Sequence, residues 1–348
     1  MSEQRMLAIL GMRDSGKTTY LARLWLGVHE KVGRLHAVGL PEQLQPLREI
    51  STRLLRNNYP LHTPLGKGTA FVVPLRWMGR KEPVPFTLSF ADYAGEEIEH
   101  IFTQRDVAWT EAWKTRATGA VGLAVFLRPQ DTRRLESKRL HPPPDDEDLN
   151  ALSWANLRGE LPDAVVDPSK PVPVEDSSTC FPSELLPQDL DDRTPVTDPR
   201  EQVCPPTAVA LVEVLQFLRH ERGLDLGELP DADSFRVAVV VSCWDSVPED
   251  WRKQGPYPFV EKHFPLLYDF LCTNFHSDGV RFFGLSSTGG DLTDETFRRK
   301  YEQSEPEHMG ELVYHPSPTG SPVSVPDIAL PIGWLLEGES ALPDPPKT

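Results

Sequence analysis

Apolar positions along the chain follow two periods. Met6 to Leu10 is a continuous apolar run that ends in a glycine-bearing loop, the mark of a buried strand. From Lys17 to Lys31 the spacing becomes helical, with Leu21, Leu24, Trp25 and Val28 on one face. A second helix is predicted over Pro41 to Asn57, through Leu44, Leu47, Ile50, Leu54 and Leu55. Ala70 to Trp77 and Val84 to Phe90 are strand-like and separated by Met78-Gly79-Arg80-Lys81, which predicts an antiparallel hairpin. Glu96 to Arg116 reads as a helix, and Gly119 to Leu127 as a strand covered on both faces. Further on, the pattern predicts a helix over Ala208 to Arg222, a strand over Arg236 to Ser242, a helix over Pro258 to Phe275 and a sixth strand over Val280 to Leu285. Glu302 to Pro322 reads as a loop and Ile328 to Leu336 as a last apolar segment. Strands alternating with helices predict an α/β fold. The sheet should be mostly parallel and six-stranded, with one antiparallel edge strand from the hairpin and helices on both faces. The expected strand order is 2-3-1-4-5-6, with ligands at the carboxyl ends of the strands.

Composition changes this picture in one place. Proline is abundant, 35 of 348 residues, and much of it falls between His141 and Pro206. That stretch holds 13 prolines in 66 residues and −11 of the chain's net charge of −16. An acidic, proline-rich segment buries too little surface to offset its ordering entropy. It is expected to be a disordered insertion, with a short ordered piece near Leu149 to Leu157. The domain plan is therefore one α/β domain in two parts, 1–140 and 207–337, the insertion 141–206, and a flexible tail 338–348.

The net charge of −16 argues against a nucleic-acid partner, which needs a basic footprint. No apolar run approaches the length of a membrane span, and the N-terminal apolar run is short for a signal peptide. Cys180, Cys204, Cys243 and Cys272 are widely spaced, with no CxxC pair, and the histidines show no HExxH motif. Free thiols in a reducing, cytoplasmic setting are expected.

The strongest chemical signal is Gly11-Met12-Arg13-Asp14-Ser15-Gly16-Lys17-Thr18, a G-x-x-x-x-G-K-[ST] loop between a predicted strand and a predicted helix. Its glycines let backbone N–H groups curl around an anion, and the helix N-terminus adds partial positive charge. Lys17 would reach the β- and γ-phosphates of a nucleotide, and the Thr18 hydroxyl would bind Mg²⁺. Gly11, Ser15, Gly16, Lys17, Thr18 and Thr19 are the candidate phosphate contacts. Gly66-Lys67-Gly68-Thr69 is not a second such loop, because it precedes a strand and follows none.

Later segments bear on which nucleotide is bound. The strand ending at Ala91 runs into Asp92-Tyr93-Ala94-Gly95-Glu96, which resembles the D-x-x-G signature of GTPases. The strand ending at Val241 runs into Ser242-Cys243-Trp244-Asp245, at the place of the N/T-K-x-D guanine motif; the alternative for Asp245 is a helix N-cap. The sixth strand ends in Ser286-Ser287-Thr288, similar to the S-A-[KL] loop. Together these resemble a Ras-like P-loop GTPase of the translation-factor-related class. They are most similar to the bacterial double-GTPase domain family of prokaryotic conflict systems. The resemblance implies GTP/GDP and Mg²⁺ as ligands. It implies Asp92, Thr18 and a switch threonine, Thr63 or Thr69, around the metal, with Thr63 taken first. Gly95 would sense the γ-phosphate, and Asp245 and Ser286 would read guanine.

The departures are informative. Ser242 stands where Asn or Thr is usual, and Cys243 where a lysine usually packs on the base. Glu96 replaces the water-orienting glutamine, and Arg13 replaces a glycine; these are the candidate catalytic residues. The expected function is a GTP-binding switch with slow hydrolysis that acts on an effector or a second GTPase-like partner. A non-hydrolysing adaptor and an ATPase on the same loop are the alternatives.

Overall fold

The computed structural model describes residues 5–12, 14–41, 44–60, 70–80, 82–91, 118–130, 206–224, 228–231, 235–305, 309–317 and 320–343. These residues build one sheet of nine strands: β1 (Arg5–Gly11), β2 (Leu35–Ala37), β3 (Ala70–Met78), β4 (Pro83–Ala91), β5 (Gly122–Leu127), β6 (Arg236–Ser242), β7 (Val280–Ser286), β8 (Glu311–Tyr314) and β9 (Val323–Val325). The sheet order is β2-β3-β4-β1-β5-β6-β7-β8-β9. The pairings from β4 through β1, β5 and β6 to β7 are parallel. Those of β2 with β3, β3 with β4, β7 with β8 and β8 with β9 are antiparallel.

The α/β class and the relative order of the six anticipated strands match the sequence reading; the strand count and edge structure do not. Nine strands replace six, and antiparallel pairs flank both sides of the parallel centre instead of one. The hairpin strand β3 is not the edge, because β2 pairs outside it. The added strands are three or four residues long, too short to display a period of two. β8 lies inside the stretch read as a loop.

Eight α-helices are described: α1 (Lys17–Glu30), α2 (Leu44–Leu55), α3 (Thr207–Glu221), α4 (Glu249–Gln254), α5 (Pro256–His263), α6 (Pro265–Asn274), α7 (Glu295–Glu302) and α8 (Leu330–Glu337). Alternate residues of each central strand face opposite cores. Leu7, Ile9, Ala124, Phe126, Ala238, Val240 and Phe283 pack with α1 and α8. Leu10, Leu123, Val125, Val237, Val239 and Phe282 pack with α3, α5 and α6. Strands buried on both faces are the reason these segments read as continuous apolar runs.

Two further expectations are corrected. The single helix foreseen over 258–275 is two helices, broken at Phe264 with φ −129° and ψ 51°. Pro265 follows, and a residue before proline is driven out of the helical region. The tail foreseen as flexible begins with a 3₁₀ turn at Gly338–Ala341, and Ala341 and Leu342 are buried. The helix foreseen over 96–116 and nearly all of the insertion 141–206 lie outside the described residues. Because β5 and β6 pair along their lengths, the parts before and after the insertion share one sheet.

Candidate functional site

The glycine-rich loop leaves the carboxyl end of β1 and enters α1 directly. Gly11 has no room for a side chain, since a Cβ there would lie 2.7 Å from Ser15 Oγ and 2.8 Å from the Phe126 carbonyl oxygen. Asp14 (φ 60°) and Gly16 (φ 81°) both take the left-handed conformation, which Gly adopts freely and Asp tolerates. These turns bring the chain back on itself. Lys17 is buried, and its ammonium donates to the carbonyl oxygens of Gly11 and Met12, each at 2.7 Å, and to Ser15 Oγ at 3.0 Å. The cation thus lies across the mouth of the loop. Gly16 caps α1 without a side-chain bond, and the first turn carries no acidic residue. The helix's own first turn therefore supplies no carboxylate to its positive end. Thr18 and Thr19 occupy that first turn.

The ends of β5 and β6 lie beside this loop, and β7 pairs with β6 on the far side. Ser242, at the end of β6, is buried and donates to the Leu127 carbonyl at 3.0 Å. Its Oγ would stand 3.2 Å from a Cβ on Gly16. A small residue at position 242 therefore lets the β6 end press against the phosphate loop. Cys243 follows in the left-handed region (φ 50°) and begins a 3₁₀ turn, Trp244–Ser246. Burial pushes its thiol pKa up, the neighbouring Asp245 carboxylate adds to the rise, and the positive charge of Arg128 opposes it.

Asp245 is held in place by packing and by one hydrogen bond. The Trp244 indole is buried over Gly284 of β7, where a Cβ would come within 2.4 Å of it. Phe259 meets the same indole edge-on, ring centroids 5.6 Å apart. The anchored turn presents Asp245 to β7, and Ser286 Oγ donates to Asp245 Oδ1 at 2.5 Å. Asp245 lies within this turn, and the cap of the following helix α4 is Pro248, so it is not that helix's N-cap. The two strand-end segments singled out in the sequence are therefore joined directly.

The loop after β7 is braced from the segment that follows α2. Tyr59 donates to Asp291 Oδ1 at 3.2 Å and accepts from the Leu292 N–H at 3.1 Å. Thr288 Oγ1 donates to the Gly290 carbonyl at 2.6 Å. Burial pushes the Tyr59 phenol up to about 12, so it stays protonated at neutral pH.

Of the sequence candidates, Gly11, Ser15, Gly16, Lys17, Thr18 and Thr19 sit on one loop and helix start, with Asp245 and Ser286 on the adjacent strand ends. Arg13, Thr63, Asp92, Gly95 and Glu96 lie outside the described residues. Ala91, the end of β4, brings the chain to the same edge of the parallel sheet. Sequence reasoning missed Trp244 and Gly284, which place Asp245, and Tyr59, which braces the last loop. It also missed Arg128, whose Nη1 donates to the Asp14 carbonyl at 3.4 Å. Only an arginine directly after an apolar strand could have marked that position.

A family model described as Double-GTPase 1 matches residues 8–335. No curated protein matches the chain. Among the described residues no helix is long and apolar enough to cross a membrane.

Proposed function

Because the chain belongs to the Double-GTPase 1 family, we propose that it is a GTP-binding switch that hydrolyses GTP slowly and signals to a protein partner. Membership implies guanine-nucleotide binding. The observation that carries the finer reading is the convergence of Lys17, on an uncapped helix start, with the Asp245–Ser286 pair at the neighbouring strand ends. One end of that arrangement suits phosphates and the other suits a base with adjacent N–H donors.

The residues divide the work by chemistry. Lys17 would trade carbonyl partners for phosphate oxygens, a stronger charge-assisted contact. Backbone N–H groups from Asp14 to Thr19 would cradle the β-phosphate. The Asp245 carboxylate would accept from guanine N–H groups while Ser286 holds its orientation. The described donor, the Thr18 hydroxyl, suits Mg²⁺, a hard cation that takes oxygen ligands and completes its shell with waters and substrate phosphates. Thr18 would hold it with Asp92 and Thr63, and when bound it would neutralise charge on the transferring phosphoryl group. Gly95 would sense the γ-phosphate, and Glu96 and Arg13 are the proposed catalytic pair. An ionised Glu96 cannot donate a hydrogen bond to the attacking water's target, and Arg13 would crowd the γ-phosphate side; both favour slow turnover. A second GTPase-like protein, in a conflict or defence system, is the proposed partner.

Calorimetric titration with Mg·GTP, GDP and ATP tests the reading. Tight binding of both guanine nucleotides with weak ATP binding is expected; equal ATP affinity would overturn the guanine assignment. Single-turnover hydrolysis should run on the order of 10⁻⁴ to 10⁻² s⁻¹, the unassisted range of switch GTPases.

A further inference from the structure

The base motif lacks its cation, since Cys243 stands where a lysine would pack on the base. The structure supplies a cation from another strand. Leu127 and Val241 are register partners at the ends of β5 and β6. Ser242 Oγ clasps the Leu127 carbonyl at 3.0 Å, so the next residues, Arg128 and Cys243, emerge from adjacent strand ends. Arg128 Nη1 donates to the carbonyl of Asp14 in the phosphate loop at 3.4 Å, and its Nε donates to Gln130 Oε1. Its charge is felt at the Cys243 thiol. The guanidinium thus touches the phosphate cradle and lies within electrostatic reach of Cys243, the residue that opens the turn carrying Asp245. Among the described residues it forms no ion pair.

We propose that Arg128 is a base-binding residue of the nucleotide site. Its guanidinium ties the phosphate loop to the base turn and lies flat against the purine, in the place left by Cys243. A guanidinium is planar and weakly hydrated, and it stacks on aromatic faces better than an ammonium does. It also tolerates a small neighbour: a long side chain at position 243 would compete for the same space. Pairing Arg128 with Cys243 is therefore one solution to the problem that a lysine at 243 solves alone. The assignment rests on guanine-nucleotide binding as proposed above.

The test uses the full chain and four proteins: wild type, Arg128→Ala, Arg128→Lys, and Arg128→Ala with Cys243→Lys. Dissociation constants for GDP and GTP are measured with Mg²⁺, alongside melting temperature without nucleotide. Arg128→Ala should weaken GDP and GTP alike by about tenfold, the scale of a partly desolvated cation–π contact, with the nucleotide-free melting temperature unchanged. Arg128→Lys should keep only part of the affinity, and Cys243→Lys should restore it in the Arg128→Ala background. Unchanged affinity in Arg128→Ala overturns the proposal while leaving GTP binding intact. So does a loss confined to GTP, which would make Arg128 a γ-phosphate contact. Failure of Cys243→Lys to restore binding also overturns it. A wild-type chain that binds neither nucleotide overturns both this assignment and the reading beneath it.

Discussion

Gly284→Ala should damage guanine selectivity from beneath the site without touching a ligand contact. Gly284 lies in β7 between β6 and β8, so its backbone cannot retreat. A Cβ there would lie 2.4, 2.7 and 2.8 Å from Cδ2, Cε2 and Cγ of Trp244. Carbon atoms in contact prefer about 3.5–4.0 Å, so the indole must withdraw by about 1 Å. Its escape is blocked by Phe259, with ring centroids 5.6 Å apart, and Trp244 is only 2% exposed. Overpacking of this kind costs about 1–3 kcal/mol, equivalent to a fall of roughly 2–12 °C in melting temperature for a domain of this size. Asp245 is the next residue. If its carboxylate follows the indole, the 2.5 Å bond to Ser286 stretches to about 3.5 Å, the limit at which a hydrogen bond ceases to count. Preference for GTP over ATP should then fall by roughly 5- to 150-fold, the value of about 1–3 kcal/mol for a buried polar group left without its partner. Differential scanning fluorimetry reads the first effect, and competition of GTP and ATP against a fluorescent GDP analogue reads the second. A variant that melts lower but keeps full GTP preference would refute the link between the Trp244 seat and Asp245. One that melts like wild type would refute the packing argument itself.

Three other outcomes are expected. Lys17→Ala should weaken Mg·GTP by at least about a hundredfold in calorimetry, because a charged group making several hydrogen bonds is lost; equal affinity would exclude this loop as the phosphate site. Asp245→Asn should lower GTP affinity and raise that for xanthosine triphosphate, since the amide offers a donor where guanine also donates; unchanged base preference in a competition assay would contradict the assignment. The Thr293 N–H and the Tyr59 hydroxyl hold the Asp291 carboxyl below the ordinary range. Its stabilising effect is present above the unfolded value near about 4 and is lost as pH falls through the lower folded value. As pH falls below about 4, the wild-type melting temperature should therefore decline more steeply than that of Asp291→Asn, and parallel declines would argue against the Thr293 and Tyr59 hydrogen bonds to this carboxylate.

The long, doubly buried strands and the glycine-rich loop were legible in the sequence because their causes are local. Val237 to Val241 reads as a strand since every residue is buried, and Gly11 to Thr18 carries its geometry in its own residue types and spacing. The break at Phe264 was equally local, written in the Phe264-Pro265 pair, yet it was hidden inside an apolar run that reads as one helix. The short outer strands β2, β8 and β9 were not legible, because three or four residues form a strand only when a neighbour offers its open hydrogen-bonding edge. In the site, the sequence marked Asp245 and Ser286 separately at two strand ends. Only the register of β6 on β7, and Trp244 seated over Gly284, decided that the two side chains meet. Arg128 lay beyond reach for the same reason. Its partner is a carbonyl 114 residues away, and a contact between a side chain and distant backbone leaves no trace in local sequence, since every residue type carries that carbonyl.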